Sequence, residues 1–146
     1  IIYRISPYEI NYYSYDFWAK KPDKLILDSI VEYFSRSKMF IRVDEKLSSP
    51  EPDLYMKVKL NSIEEVDIGN TWYARLSLDF EIQNFKSSQV ILTYNFDRKK
   101  KLPSKKVFHL PRAISRILQE ELSKVMKKLI EKLNQTKTDQ GQNRIK

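Results

Sequence analysis

The chain has no cysteine, a single histidine (His109) and only two glycines, Gly69 and Gly141, among 146 residues. Without cysteine these residues hold no disulfide framework, no thiolate metal site and no Cys nucleophile. One histidine excludes a His-cluster metal site and makes any Ser-His-Asp triad depend on His109 alone. Two isolated glycines exclude a Gly-rich phosphate loop of the Walker or dinucleotide kind. No apolar run is long enough to cross a bilayer, and no signal peptide is visible. These absences argue against most enzymes and predict a non-enzymatic protein with no cofactor and no metal. The chain begins at Ile1 rather than Met, so a piece of a longer product is expected, and a removed targeting segment stays open.

What is abundant is positive charge. Lysine and arginine number 27 against 19 acidic residues, a net charge of +8, which suits a nucleic acid, an anionic lipid surface or an acidic protein. The length fits one domain, and a domain of this size buries roughly 70% of the surface its unfolded chain exposes, enough to fold without staples.

The pattern predicts a single α/β domain over residues 1–134 and a disordered tail over 135–146, where apolar periodicity ends. Ile1, Tyr3 and Ile5 alternate with Ile2, Arg4 and Ser6 as in a strand, and Ile10–Tyr15 reads as another extended segment. Pro22 and Asp23 open a helix with Leu27, Ile30, Val31 and Phe34 on one stripe, ending near Ser35–Lys38. Phe40, Ile41 and Val43 read as a short strand. Three longer strands follow: Leu54, Met56, Val58 and Leu60 alternate inward in the first. Trp72, Ala74, Leu76, Leu78, Phe80 and Ile82 do so in the second, and Val90, Leu92, Tyr94 and Phe96 in the third. Turns at Asp67–Asn70 and Lys86–Ser88 predict antiparallel pairing. From Pro111 on, Ile114, Ile117, Leu118, Leu122, Val125, Met126, Leu129 and Leu133 make a long amphipathic helix.

Four features could carry function. The run Arg98, Lys99, Lys100, Lys101, then Lys105 and Lys106, holds no acid and is read as a loop before the last helix. Such a loop could meet phosphates or anionic headgroups, or simply be solvated. The aromatic cluster Tyr3, Tyr8, Tyr12, Tyr13, Tyr15, Phe17 and Trp18 could stack on bases, but its alternation favours a core or subunit interface. His109 lacks a nucleophile and an orienting acid in any recognisable motif. Glu64, Glu65 and Asp67 form an acidic patch whose spacing matches no calcium loop, and Glu120 and Glu121 are expected on an exposed helix face.

The N-terminal stretch is the most distinctive. Its pattern is Ile2-Tyr3-Arg4, then Pro7-Tyr8-Glu9-Ile10, Tyr12-Tyr13, Tyr15, Trp18-Ala19 and Pro22. A helix follows, then Phe40 and Val43, then Pro52-Asp53-Leu54. This order resembles the ABC-type transport auxiliary lipoprotein family (PqiC-like). The specific part of the resemblance is residues 2–22; up to residue 133 the rest matches in pattern. It implies a mixed, largely antiparallel sheet with two main helices packed on it, similar to the TolB N-terminal and anticodon-binding-domain folds, with a further strand upstream of Ile1. It also implies a non-enzymatic periplasmic lipoprotein, anchored through an N-terminal lipidated Cys outside this chain, on the inner leaflet of the outer membrane. Such proteins assemble as rings or docking subunits with mammalian-cell-entry (MCE) domain or ABC-transporter subunits in lipid transport between membranes. Tyr3, Arg4, Pro7, Tyr8, Glu9, Tyr12, Tyr15, Trp18 and Pro22 carry the motif in structural or interface roles; Trp18 is expected to pack at the start of the first helix. The basic run is not part of the motif. The competing expectation is a nucleic-acid-binding domain that uses Arg98–Lys106.

Overall fold

The computed structural model describes residues 2–6, 9–12, 22–45, 51–104 and 109–145, with side chains over 23–45, 51–104 and 109–135. The elements are β1 (Ile2–Ser6), β2 (Glu9–Tyr12), α1 (Pro22–Arg36), β3 (Leu54–Ile68), β4 (Thr71–Asn84), β5 (Val90–Lys101) and α2 (His109–Ile145). The strands form one five-stranded sheet in the order β2-β1-β3-β4-β5. All pairings are antiparallel except β1 with β3, which is parallel. The mixed, largely antiparallel sheet with two main helices is the architecture expected.

β4 is the centre of the molecule. Its alternation sends Ala74, Leu76, Leu78, Phe80 and Ile82 to one face, each at most 1% exposed. Burial at this level follows from having a strand on either side and helices above. α1 contributes Ile26, Ile30 and Phe34 at four-residue steps, and α2 contributes Ala113, Ile114, Ile117, Leu118, Leu122, Val125, Met126 and Leu129, all to the same core. Leu27 and Val31, expected in the α1 stripe, flank it half-buried. Phe80 stacks on Phe96 with centroids 6.3 Å apart. We call this the covered face. On the other face Lys57, Lys59, Thr93, Asn95, Asp97, Lys99 and Lys101 are exposed.

The β3–β4 hairpin turns at Gly69-Asn70, where Gly69 takes φ 61°, a left-handed value that glycine adopts without a Cβ penalty. The β4–β5 turn is held by Asn84, whose side-chain oxygen accepts the Ser87 N–H at 3.0 Å and whose carbonyl accepts the Ser88 N–H at 2.9 Å. β3 is longer than its apolar alternation predicts because a bulge interrupts it. Leu60 pairs with Leu78, but Ser62 pairs with Ser77, so Asn61 is the extra residue. One extra residue reverses which side chains face inward. Beyond it Ile63 and Glu65 stand opposite Leu76 and Ala74, while Glu64 stands opposite Arg75.

Three expectations change. Phe40–Val43 is not a strand: it is a bend and irregular segment, and Phe40 and Val43 pack against the core edge instead of pairing with the sheet. Arg98–Lys101 is not loop but the end of β5, paired with Leu76, Arg75, Ala74 and Tyr73 in turn. The β4 backbone offers partners this far along, and ladder bonds outweigh the low strand preference of lysine. The helix also continues to Ile145, past Asn134, where a disordered tail is expected. Losing the apolar stripe removes packing, but no proline occurs there, Lys and Gln sustain helix, and the single Gly141 costs only about 1 kcal/mol relative to alanine.

Candidate functional site

The basic run does not form one cationic surface. β5 alternates, so Arg98 and Lys100 share the covered face with Leu92, Tyr94 and Phe96, and Lys99 and Lys101 point the other way. Arg98 Nη1 donates to Glu120 Oε2 at 2.9 Å and to Glu121 Oε1 at 3.2 Å. Lys100 Nζ lies 3.7 Å from Glu120 Oε1. Two of the run's cations are therefore spent fastening β5 to α2. Lys99 and Lys101 are exposed; Lys105 and Lys106 lie outside the described residues.

Glu121 is the centre of this cluster. It was expected on an exposed helix face and is instead 2% exposed. It fills a slot in the α2 apolar stripe, between Ile117 and Val125. Tyr94 donates its hydroxyl to Glu121 Oε2, and Lys124 Nζ donates to Oε1 at 3.2 Å. Lys128 Nζ sits 5.1 Å from the centre of the Tyr94 ring, within reach of a cation–π contact. Burial pushes the Glu121 carboxyl up, but bonds from Tyr94, Lys124 and Arg98 outweigh it and hold the group below the usual carboxylate range. Burial, reinforced by the Glu121 bond and charge, pushes the Tyr94 phenol up to about 12. The Glu120 bond keeps Arg98 firmly charged. A neutral tyrosine donating to an ionised carboxylate makes a charge-assisted hydrogen bond, and the cluster clips β5 to α2.

A second buried carboxylate lies on the other face. Glu64, 3% exposed, accepts from Arg75 Nη1 at 2.8 Å and from Ser62 Oγ at 3.1 Å. The same arginine holds Asp97 through Nε at 2.9 Å and Nη2 at 2.6 Å. The Asp97 bond, followed by Glu64, raises Arg75 well above its ordinary value. Of the acidic residues read around the turn, Glu64 thus belongs to a cross-strand ion network, while Glu65 is buried opposite Ala74 on the covered face. Among the described residues no group of three or more His, Cys, Asp or Glu could hold a metal ion, and no helix is long and apolar enough to cross a membrane. His109 begins α2, half-buried.

Of the motif residues, Tyr3 and Arg4 lie on β1, Glu9 and Tyr12 on β2, and Pro22 opens α1. The topology brings β1 and β2 together as a hairpin, with Arg4 opposite Ile10 and Tyr3 opposite Asn11. It docks β1 along the end of β3. Pro7, Tyr8, Tyr15 and Trp18 lie outside the described residues, and so does the expected packing of Trp18.

No family model matches the chain, and no curated protein matches it. Solved structures do. A Xanthomonas campestris protein bearing the DUF330 family model superposes with a TM-score of 0.79 at 17% identity, over 94% of this chain and 78% of that one. An uncharacterised protein superposes at 0.73 and 12% identity, over 88% and 80%. A candidate lipoprotein from Caulobacter crescentus CB15 superposes at 0.53 and 14%, over 81% and 88%. The fold is shared with these proteins.

Proposed function

We propose that this chain is the folded domain of a non-enzymatic accessory lipoprotein that serves an ABC- or MCE-type lipid-transport system in the periplasm. The observation that carries the reading is the Tyr3-Arg4 to Pro22 motif and its resemblance to the auxiliary lipoprotein family. The fold shared with a DUF330 protein and a candidate lipoprotein is consistent with it. In this role the domain docks on MCE or transporter subunits, alone or as a ring of copies, and an anchor upstream of Ile1 holds it at the outer membrane. The β1–β2 hairpin, at one edge of the sheet, is the docking element this reading favours, because it carries the motif residues. Support for nucleic-acid binding is weaker than the sequence suggests, since Arg98 and Lys100 are engaged by α2.

The deciding experiment is the intact mass of the full-length protein isolated from its native membrane fraction. A diacylated or triacylated N-terminal Cys is the expected result. An unmodified protein recovered from the cytosol would overturn the proposal.

A further inference from the structure

α1 ends in a turn that holds two apolar side chains away from the core. Ser37 builds the cap: its N–H donates to the Tyr33 carbonyl at 3.1 Å, and its hydroxyl donates to the Phe34 carbonyl at 2.6 Å while accepting the Met39 N–H at 3.3 Å. Lys38 takes φ 58°, the left-handed value that ends helices and that side chains with a Cβ rarely adopt. From there the chain alternates. Phe40 turns inward onto Phe34, with ring centroids 5.9 Å apart. Met39 is 54% exposed and Ile41 109% exposed. Phe40 and the Ser37 cap fix the turn, so the two outward side chains are presented, not merely loose.

The rim of these apolar tips is cationic. Between Arg36 and Arg42 the sequence has Lys38 and no acid. Arg36 bridges Glu32 at 2.6 Å and Arg42 bridges Asp44 at 2.6 Å. Both bridges are on the surface, where an ion pair contributes little and exchanges readily for another anion. Single exposed apolar residues are ordinary. A capped turn that displays two of them, with three cations around them, has the composition of an interfacial anchor: apolar side chains enter the acyl boundary while Lys and Arg reach up to phosphates.

We infer that the turn Ser37–Arg42 docks the domain on an anionic lipid surface, with Met39 and Ile41 inserted and Arg36, Lys38 and Arg42 meeting the headgroups. The inference stands on the geometry and charge of the turn and does not rest on the accessory-lipoprotein reading. An apolar tip that enters a fluid boundary needs no matching pocket, which favours lipid over an acidic protein surface.

The test is flotation of the chain with vesicles of phosphatidylethanolamine and phosphatidylglycerol, beside vesicles of phosphatidylcholine alone. Binding to the anionic vesicles, weakened by salt, and little binding to the neutral ones is expected. Met39→Ser with Ile41→Ser should weaken binding by roughly tenfold or more without moving the thermal unfolding midpoint. Ile41→Trp should show blue-shifted emission when anionic vesicles are added. The inference is overturned if the chain ignores anionic vesicles, or if Met39→Ser/Ile41→Ser binds as tightly as the parent while Lys99→Gln/Lys101→Gln does not. It is also overturned if the double serine variant changes the sedimentation coefficient, since the turn would then belong to a contact between copies.

Discussion

The covered face buries Glu121 and Glu65 and the other face buries Glu64, and the networks around Glu121 and Glu64 are built differently. On the covered face Glu121 comes from α2 and takes its partners Tyr94 and Arg98 from β5, so its bonds join two layers. On the other face Glu64, its donors Ser62 and Arg75, and the Asp97 that Arg75 also holds all belong to the sheet, so these bonds join only neighbouring strands. The partners of Glu121 keep access to water: Arg98 is 32% exposed and Lys124 58%. Arg75 is 21% exposed and shared between two carboxylates. A buried ion pair is costly to break from one side, because the partner left behind stays desolvated. The face on which the abandoned group can still reach water should therefore tolerate mutation better.

The largest effect should come from the apolar side of β4. Phe80→Ala leaves a cavity in the core and should destabilise by about 3–5 kcal/mol in denaturant unfolding, whereas Thr93→Ala on the exposed side should stay within about 0.5 kcal/mol. If the two were similar, the covered face would not be the core.

Next comes Arg75→Met, which leaves Glu64 buried with Ser62 as its bonded neighbour. Breaking a buried pair costs roughly 3–5 kcal/mol. The partial exposure of Arg75 reduces the expectation to about 2 kcal/mol. Adding Glu64→Leu should recover much of it, and a double-mutant cycle measures how much.

Glu121→Leu should lie within about 1 kcal/mol of the parent in either direction, because Tyr94, Arg98 and Lys124 can turn to water and a leucine fits the stripe. A larger loss would show that the clip, and not the apolar packing, holds α2 on β5.

The pH profile separates the two sides of that clip. Glu121 is held below its ordinary value in the fold. Its contribution is therefore whole above about pH 4.3 and is lost as pH falls through the lower folded value. Glu121→Gln should flatten part of this acid limb. Tyr94 is raised to about 12 in the fold against about 10 in the unfolded chain. Its contribution is complete below about pH 10 and fades as pH rises towards 12. Tyr94→Phe should remove that alkaline slope, read as the urea midpoint between pH 9 and about 11.5.

The smallest effect is expected from Lys99→Gln with Lys101→Gln, within about 0.5 kcal/mol. Replacing Arg98 and Lys100 as well should cost more, since these two meet Glu120 and Glu121. Equal losses would mean that the alternation of β5 does not divide the run as described.

Much of the fold was legible. The period-2 run from Trp72 to Ile82 and the stripe from Ile114 to Leu129 announce a strand and a helix that must cover each other. Gly69-Asn70 marks the hairpin. The Asn61 bulge has no local signature, and it alone decides that Glu65, and not Glu64, faces the covered side. Of the candidate site, the basic run was visible as composition, but its division was not. That division follows from extending β5 four residues further, which depends on β4 being there to pair. The place of Glu121 was readable in principle, as an acid in the position where the stripe requires an apolar residue. Such a position signals a buried partner.

The sequence by itself determined the α/β class, the helices, the central strands and the exclusion of thiolate and glycine-loop chemistry, because these follow from residue type and short-range period. Only the tertiary structure decided which charges are exposed. Arg98 and Lys99 are neighbours in the chain, yet one is tied to a helix and the other faces solvent. The reason is physical: a strand assigns successive side chains to opposite faces, and whether a face is wet or covered depends on what is packed there from elsewhere in the chain.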